Sequence, residues 1–450
     1  MLRSSHAGSG RPVLVLAYLF PPENVVGAAR PFRFFRYLPE FGFRPRVITA
    51  SAQPCALLDI EHVANRAEQA ARWSLIGMVN QVTRRFITYY DPFLLWARDA
   101  AQVASVLHAQ EPFQAIISTS PPVVTHMAAM LIQRRLHIPW IADFRDPLLN
   151  NPFNTTSMPV HRWLDKRIEA AIFRHADAVI SVTDVVADGW RLRYQCHAPK
   201  VRVIWNGYDP ADQVKPLPIP PRDYRLLAHI GTFYGGRIPF CVLESLRRLV
   251  VAEHVDPRRL RVKFVGCFDQ GAWAVSRPLF EEINRVFRIE YQNVHVPRAE
   301  AIREMGEADY LLLADNNTAN IGYTVPAKVF EYVQMGRPIL AITTTDSPVD
   351  RILQQSGIPY ASVQPDLDVS EFDRRVLAFL QLPNSPVQPS SWFRETFDGR
   401  KQTGKLAGIL NSTLQGARCG MTEGGLGRAE KTNFERHRSR TAPNEHQSYP

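Results

Sequence analysis

Residues 324–342 read TVPAKVFEYVQMGRPILAI. Pro326 suits the first turn of a helix, because it lacks the N–H that a helix start leaves unused. Gly336 suits the position just past a helix, where the chain turns left-handed. Arg337 and Pro338 then lead into an apolar run without alternation. Such a run is a strand covered on both faces, the mark of a parallel sheet. Between the two punctuating residues, Val329, Phe330 and Val333 can face a core, while Lys328 and Glu331 lie three apart on one face. The stretch is one helix–strand unit of an α/β fold.

The same alternation runs outward in both directions. PVLVLAYLF, RPRVITA, FQAIISTS, IPWIADF, DAVISVT and VRVIWNG are strand-like, with helical stretches such as THMAAMLIQRRLH and RWLDKRIEAAIFRHA among them. A second series follows: YRLLAHIGTF, LRVKFVG, VHVP, ADYLLLAD, PILAITT and IPYASV. Strands alternating with helices imply doubly wound parallel sheets. Five prolines between Pro210 and Pro221 interrupt the pattern as a stiff linker. The expected organisation is α/β throughout: a Rossmann-like domain over 1–209, a linker over 210–223, and a second Rossmann-like domain over 224–392. A terminal helix over 393–415 and a polar, disordered tail over 416–450 complete it. Residues 54–98 are helix-prone without an obvious strand and read as an insertion.

With 45% hydrophobic and 21% charged residues among 450, the composition is that of a soluble globular protein. No run of about 20 apolar residues is present, so no spanning helix is expected. The start MLRSSHAGSGRP lacks the apolar middle of a signal peptide, which points to the cytoplasm. The five cysteines are scattered without a CxxC pair, as reduced thiols are, and zinc is disfavoured. Net charge is +10, and residues 1–205 hold 23 Lys and Arg against 15 Asp and Glu. That bias suits anionic partners, but the basic residues form no dense run of the kind nucleic-acid binders show.

Candidate functional residues gather where strands give way to helices, the carboxyl edge at which open parallel sheets bind ligands. Lys328 and the free N–H groups of its helix start favour a phosphate, and Glu331, a turn deeper, can accept from a pair of sugar hydroxyls. The same spacing equally allows an exposed ion pair. Gly27 and the alanines after it let a ligand approach the backbone closely. The sequence there is not GxGxxG, so the dinucleotide fingerprint is absent. Arg30, Arg33 and Arg36 alternate with aromatic residues; they read as solvated arginines over an aromatic core, or as a basic edge that meets an anionic membrane. His126 opens a helix and can hydrogen-bond a hydroxyl or move a proton. Asp143, Arg145 and Asp146 end a strand, so the acids either pair with Arg145 or serve an acceptor. Gly231, Gly235 and Gly236 surround a turn that ends in Arg237, a natural fork for a diphosphate.

At YLFPPENVVGAAR, STSPPVVTHMAA, PWIADFRDP, ADAVISVT, VIWNGYD, AHIGTFYGGR and VPAKVFEYVQMGRPILAI, the chain resembles family-four-like glycosyltransferases of the GT-B fold, especially bacterial members that make surface polysaccharides. The blocks cover residues 12–412 in the family's order. The resemblance implies two Rossmann-like domains facing across a cleft, with the terminal helix crossing back to the first. It implies a nucleotide sugar in the second domain, Arg237 and Lys328 on the donor diphosphate, and Glu331 on the ribose. Gly27 would lie close to the donor and His126 near the transferred sugar. The family often carries a second glutamate where this chain has Tyr323.

The activity implied is transfer of a sugar to a saccharide or lipid-linked acceptor, retaining at the anomeric carbon. No metal or cofactor is implied, because two cations and a helix dipole can hold the leaving diphosphate, and no D-x-D motif is placed to bind a metal-held nucleotide. The acceptor would enter past Asp143 and His126, with peripheral contact to an anionic membrane and no nucleic-acid partner. A nucleotide-sugar epimerase or a non-catalytic scaffold on the same fold are the competing readings.

Overall fold

The computed structural model describes residues 10–23, 26–51, 59–65, 91–151, 159–212, 214–219, 221–233, 239–267, 270–315 and 325–416. Seven parallel strands form the first sheet: β1 (Arg11–Ala17), β2 (Phe43–Thr49), β3 (Ile60–His62), β4 (Ala115–Ser120), β5 (Trp140–Phe144), β6 (Ala178–Ser181) and β7 (Val201–Val203). Their spatial order is β3-β2-β1-β4-β5-β6-β7. Successive residues of β1 point to opposite faces. Leu14 and Leu16 pack with α2 (Asp91–Gln110), α3 (Val124–Leu136), α4 (Pro159–His175) and α5 (Asp184–Arg193). Val13 and Val15 pack with Phe34 of α1 (Val26–Tyr37) and with Leu406, Ala407 and Leu410 of the C-terminal helix over residues 399–416.

The second sheet has six parallel strands in the order β10-β9-β8-β11-β12-β13. They are β8 (Arg225–Ile230), β9 (Leu260–Val265), β10 (Arg288–Gln292), β11 (Tyr310–Ala314), β12 (Ile339–Ile342) and β13 (Tyr360–Val363). One face is covered by α6 (Phe240–Val251), α7 (Gln270–Ile283) and α11 (Val369–Leu380). The other is covered by α8 (Arg298–Glu307), α9 (Lys328–Met335), α10 (Pro348–Ser356) and α12 (Ser391–Thr396). Chain order reverses between β1 and β4 and again between β8 and β11. At each reversal the neighbouring loops diverge and leave a crevice at the carboxyl ends of the strands.

Gly336 caps α9 at φ 72° with its N–H on the Val333 carbonyl, as the sequence requires. Two expected elements are corrected. VHVP is not a strand: Val294 is half exposed, and the edge strand is β10, where Ile289 alone is buried. Residues 54–98 do contain a strand, β3, only three residues long. Edge strands need one paired side and little apolar pattern, so both escape a search for apolar runs. The expected tail beyond Gly416 lies outside the described residues.

The segment after β7 and the segment before the last helix are knitted together. Tyr208 N–H donates to the Phe397 carbonyl at 3.0 Å, and Gly399 N–H to the Tyr208 carbonyl at 2.9 Å. Phe397 packs edge-on to Trp205 and lies 5.0 Å from the ring of Phe330 in α9. The crossing between domains is thus a packed joint that touches α9 directly.

Candidate functional site

The second-domain crevice is built around a glycine. A Cβ on Gly231, just past β8, would lie 2.9 Å from Lys328 Cε and 3.4 Å from His229 Nε2. Only glycine lets the Lys328 stem cross the strand end so closely. The helix start that presents Lys328 has no side-chain cap; the Val329 and Phe330 N–H groups turn back onto the carbonyls of Pro326 at 3.1 Å and Ala327 at 3.2 Å. A buried tether fixes the approach: Ile230 N–H donates to Tyr332 Oη at 2.9 Å, tying α9 to β8. Lys328 Nζ donates to Glu331 Oε2 at 2.9 Å. Arg298, the first residue of α8, grips the other oxygen of Glu331 and donates to Asp212 Oδ2 at 2.9 Å. Burial alone would raise the Glu331 pKa, but the cations of Lys328 and Arg298 outweigh it and hold the carboxyl below its ordinary value.

Lys328, Glu331 and Gly231 therefore stand together, as the sequence reading placed them. Arg237, Gly235, Gly236 and Tyr323 lie outside the described residues. Two groups escaped that reading. Arg298 joins the linker acid Asp212 to Glu331; its signal is a cation at a helix N-terminus, the end that disfavours one. His229 is the one polar residue of the buried end of β8. Its Nδ1 meets the Leu312 carbonyl at 2.8 Å, so that nitrogen carries the proton. Nε2 is then a lone-pair acceptor, buried and without a partner among the described residues. Burial, above all, lowers its pKa to about 4, so the ring is neutral near pH 7.

In the first domain the candidates are more deeply set than expected. Asp143 is fully buried and accepts from Arg30 Nη2 at 2.7 Å, from Arg30 Nε at 3.0 Å and from Thr119 Oγ1 at 2.9 Å. Its salt-bridge partner is Arg30, not Arg145. Arg145 instead donates to the carbonyls of Gly27, Pro121 and Ser120, joining the start of α1 to the end of β4 at the β1–β4 reversal. A Cβ on Gly27 would come within 2.8 Å of Arg145 Nη1, so the glycine admits the guanidinium. Burial first, with Arg30 adding repulsion, lowers the Arg145 pKa to about 10, and Asp146 and Asp143 oppose the shift. Arg145 stays a cation at neutral pH.

The row of arginines on α1 is corrected on both expectations. Arg30 and Arg33 are buried, neither solvated nor turned to a membrane. Arg30 donates to the Trp205 carbonyl at 2.9 Å and Arg36 to Asp209 at 2.7 Å, because α1 faces the joint between domains. His126 lies in the first turn of α3, at the carboxyl edge of the sheet, and is wholly buried there, with its ring 4.3 Å from Phe144. Trp140 Nε1 donates to Ser118 Oγ at 2.7 Å, and the same oxygen lies 2.8 Å from His126 Nδ1. The other ring nitrogen, Nε2, is buried without a partner among the described residues. Burial lowers the His126 pKa to about 3, with a smaller push from Arg145. At neutral pH this ring is uncharged. Among the described residues, no group of three or more His, Cys, Asp and Glu is placed to hold a metal ion, and no helix is long and apolar enough to cross a membrane.

Residues 27–207 match the family described as Glycosyl transferase 4-like domain. No curated protein matches the chain in sequence. Among solved structures, Anabaena HepE in complex with UDP and glucose shares 14% identity at a TM-score of 0.57, over 89% of this chain and 99% of that one. Sucrose-phosphate synthase from Thermosynechococcus elongatus shares 15% at 0.57, over 92% and 100%. The α,α-trehalose 6-phosphate synthase of Burkholderia multivorans shares 12% at 0.60, over 91% and 100%. These likenesses run through both sheets and show a common fold. Residues 27–207 thus match a glycosyl transferase 4-like domain, and the two sheets together have the GT-B fold of these structures.

Proposed function

We propose that the protein moves a sugar from a nucleotide-sugar donor to a saccharide or lipid-linked acceptor, with the donor diphosphate at the start of α9. One observation carries this: Lys328 is laid across Gly231 at the β8–β11 reversal, at the positive dipole end of α9. As the anomeric bond breaks, negative charge builds on the leaving diphosphate, and fixed donors at that point lower the barrier. Lys328 and the helix start supply them, with Arg237 as the second cation, in place of a divalent ion. Glu331 accepts from the ribose hydroxyl pair. His126, neutral and wholly buried, supports the first-domain wall beside the transferred sugar rather than touching it, and the reaction retains the anomeric configuration. Asp143, Arg145 and Asp146 form the acceptor side indirectly, by fixing the loops that line it. HepE was solved with UDP-glucose, which favours a uridine nucleotide as the first donor to try. A lipid-linked acceptor, in bacterial surface polysaccharide synthesis, would bring the chain to the cytoplasmic face of a membrane.

Calorimetry with UDP and GDP, followed by turnover with a panel of nucleotide sugars, tests the reading. Lys328→Ala is expected to weaken binding about 10- to 100-fold, the worth of one charge-assisted hydrogen bond. Equal affinity in the variant, or no binding of any nucleoside diphosphate by the wild type, sinks it. Conversion of a nucleotide sugar without an acceptor would favour an epimerase.

A further inference from the structure

Helix α4 separates its charges by face. Both of its acids, Asp165 and Glu169, are buried, and Glu169 accepts from Arg193 at 2.8 Å, from Tyr194 at 2.9 Å and from the Leu149 N–H. Arg162, Lys166, Arg167 and Arg174 are exposed, and none forms an ion pair among the described residues. The same outer face carries two large apolar side chains in water: Val160 is 54% exposed and Trp163 53%. The Arg167 guanidinium sits 4.6 Å from the Trp163 ring centre, so the tryptophan is held upright among the cations. Trp163, Lys166, Arg167 and Arg174 line one depression in this face. Arg134 extends the basic patch from the end of α3, at 3.2 Å from His175 Nε2. His175 is held below its ordinary pKa by partial burial first, then by Arg134, Arg174 and Lys200, a sign of positive potential there.

A solvated basic face needs no tryptophan, and an apolar protein interface disfavours this density of cations. Cations flanking an exposed indole suit a surface with anionic groups outside and hydrocarbon beneath. We propose that the outer face of α4 docks on an anionic lipid bilayer, with Trp163 and Val160 entering the headgroup layer and Lys166, Arg167 and Arg174 meeting lipid phosphates. The surface lies apart from the donor crevice, so its test needs no turnover.

The full chain is sedimented with vesicles of phosphatidylcholine alone and of phosphatidylcholine mixed with phosphatidylglycerol. Binding to the mixed vesicles only, lost on adding salt, is expected. Each surface cation contributes about fivefold, so Lys166→Ala/Arg167→Ala should bind about 25-fold more weakly. Trp163→Ser should weaken binding roughly tenfold, the order for returning part of a large apolar side chain to water. All three positions are exposed, and an unchanged melting temperature confirms folding; Arg174→Ala, about fivefold weaker, serves as an independent second variant. The proposal is overturned if the wild type binds both vesicles alike or neither. It is also overturned if the variants sediment like the wild type, or if single-stranded RNA is retained where the vesicles are not.

Discussion

Replacing Arg30 by methionine should destabilise the protein more than most single changes. Asp143 is fully buried and Arg30 is 2% exposed; the pair shares contacts from two guanidinium nitrogens. Without Arg30, Asp143 keeps only the Thr119 hydroxyl as a side-chain donor among the described residues. Removing one member of a buried pair costs about 3–5 kcal/mol, because the remaining charge has lost both water and partner. The Trp205 carbonyl loses its donor as well, which loosens the joint. Urea unfolding followed by tryptophan fluorescence measures the loss. The double variant Arg30→Met/Asp143→Leu should recover most of it, since an apolar pair of similar volume avoids the stranded charge. A single variant within about 0.5 kcal/mol of wild type, the range of ordinary surface changes, would refute the reasoning. So would a double variant no more stable than the single one.

Three further outcomes are expected. His126 and His229 titrate at about 3 and about 4 when folded, against 6.5 ordinarily, so the unfolded chain takes up protons first on acidification. Their stabilisation is complete above pH 6.5 and falls by about 1.4 kcal/mol per group per pH unit below it; His126→Gln/His229→Gln should flatten that slope in denaturation at pH 6 and pH 5. Arg298→Ala should raise the donor KM about tenfold with kcat little changed, because Glu331 loses its tie to Asp212; an unchanged KM would count against a positioning role. Tyr332→Phe should cost about 1–3 kcal/mol by leaving the Ile230 N–H unpaired, read as a lowered urea midpoint.

Much of the crevice was legible. Pro326, Gly336 and the apolar run after them mark a helix start, its cap and a covered strand, and Lys328 and Glu331 follow from helical spacing. The partners of charged residues were not legible. Arg30 and Asp143 are 113 positions apart, and Asp212, Arg298 and Glu331 come from the linker and two helices. Nothing local links such residues, so Arg145 looked like the partner of Asp143 because it is the near neighbour. The arginines on α1 looked solvated for the same reason: arginine is seldom buried, and only Asp143 from β5 and Asp209 from the segment after β7 neutralise Arg30 and Arg36 there.

By itself the sequence determined two α/β units on parallel sheets, because strand and helix periods and their punctuation are local properties of the chain. It also set a cation at the head of the helix after β11. The tertiary structure decided which charges neutralise one another and which face outward. It sank His126 between Phe144 and Trp140, turned α1 into the joint, and left Trp163 standing among cations on α4. Burial and pairing depend on distances between segments far apart in the chain, and those distances exist only once the sheets have closed.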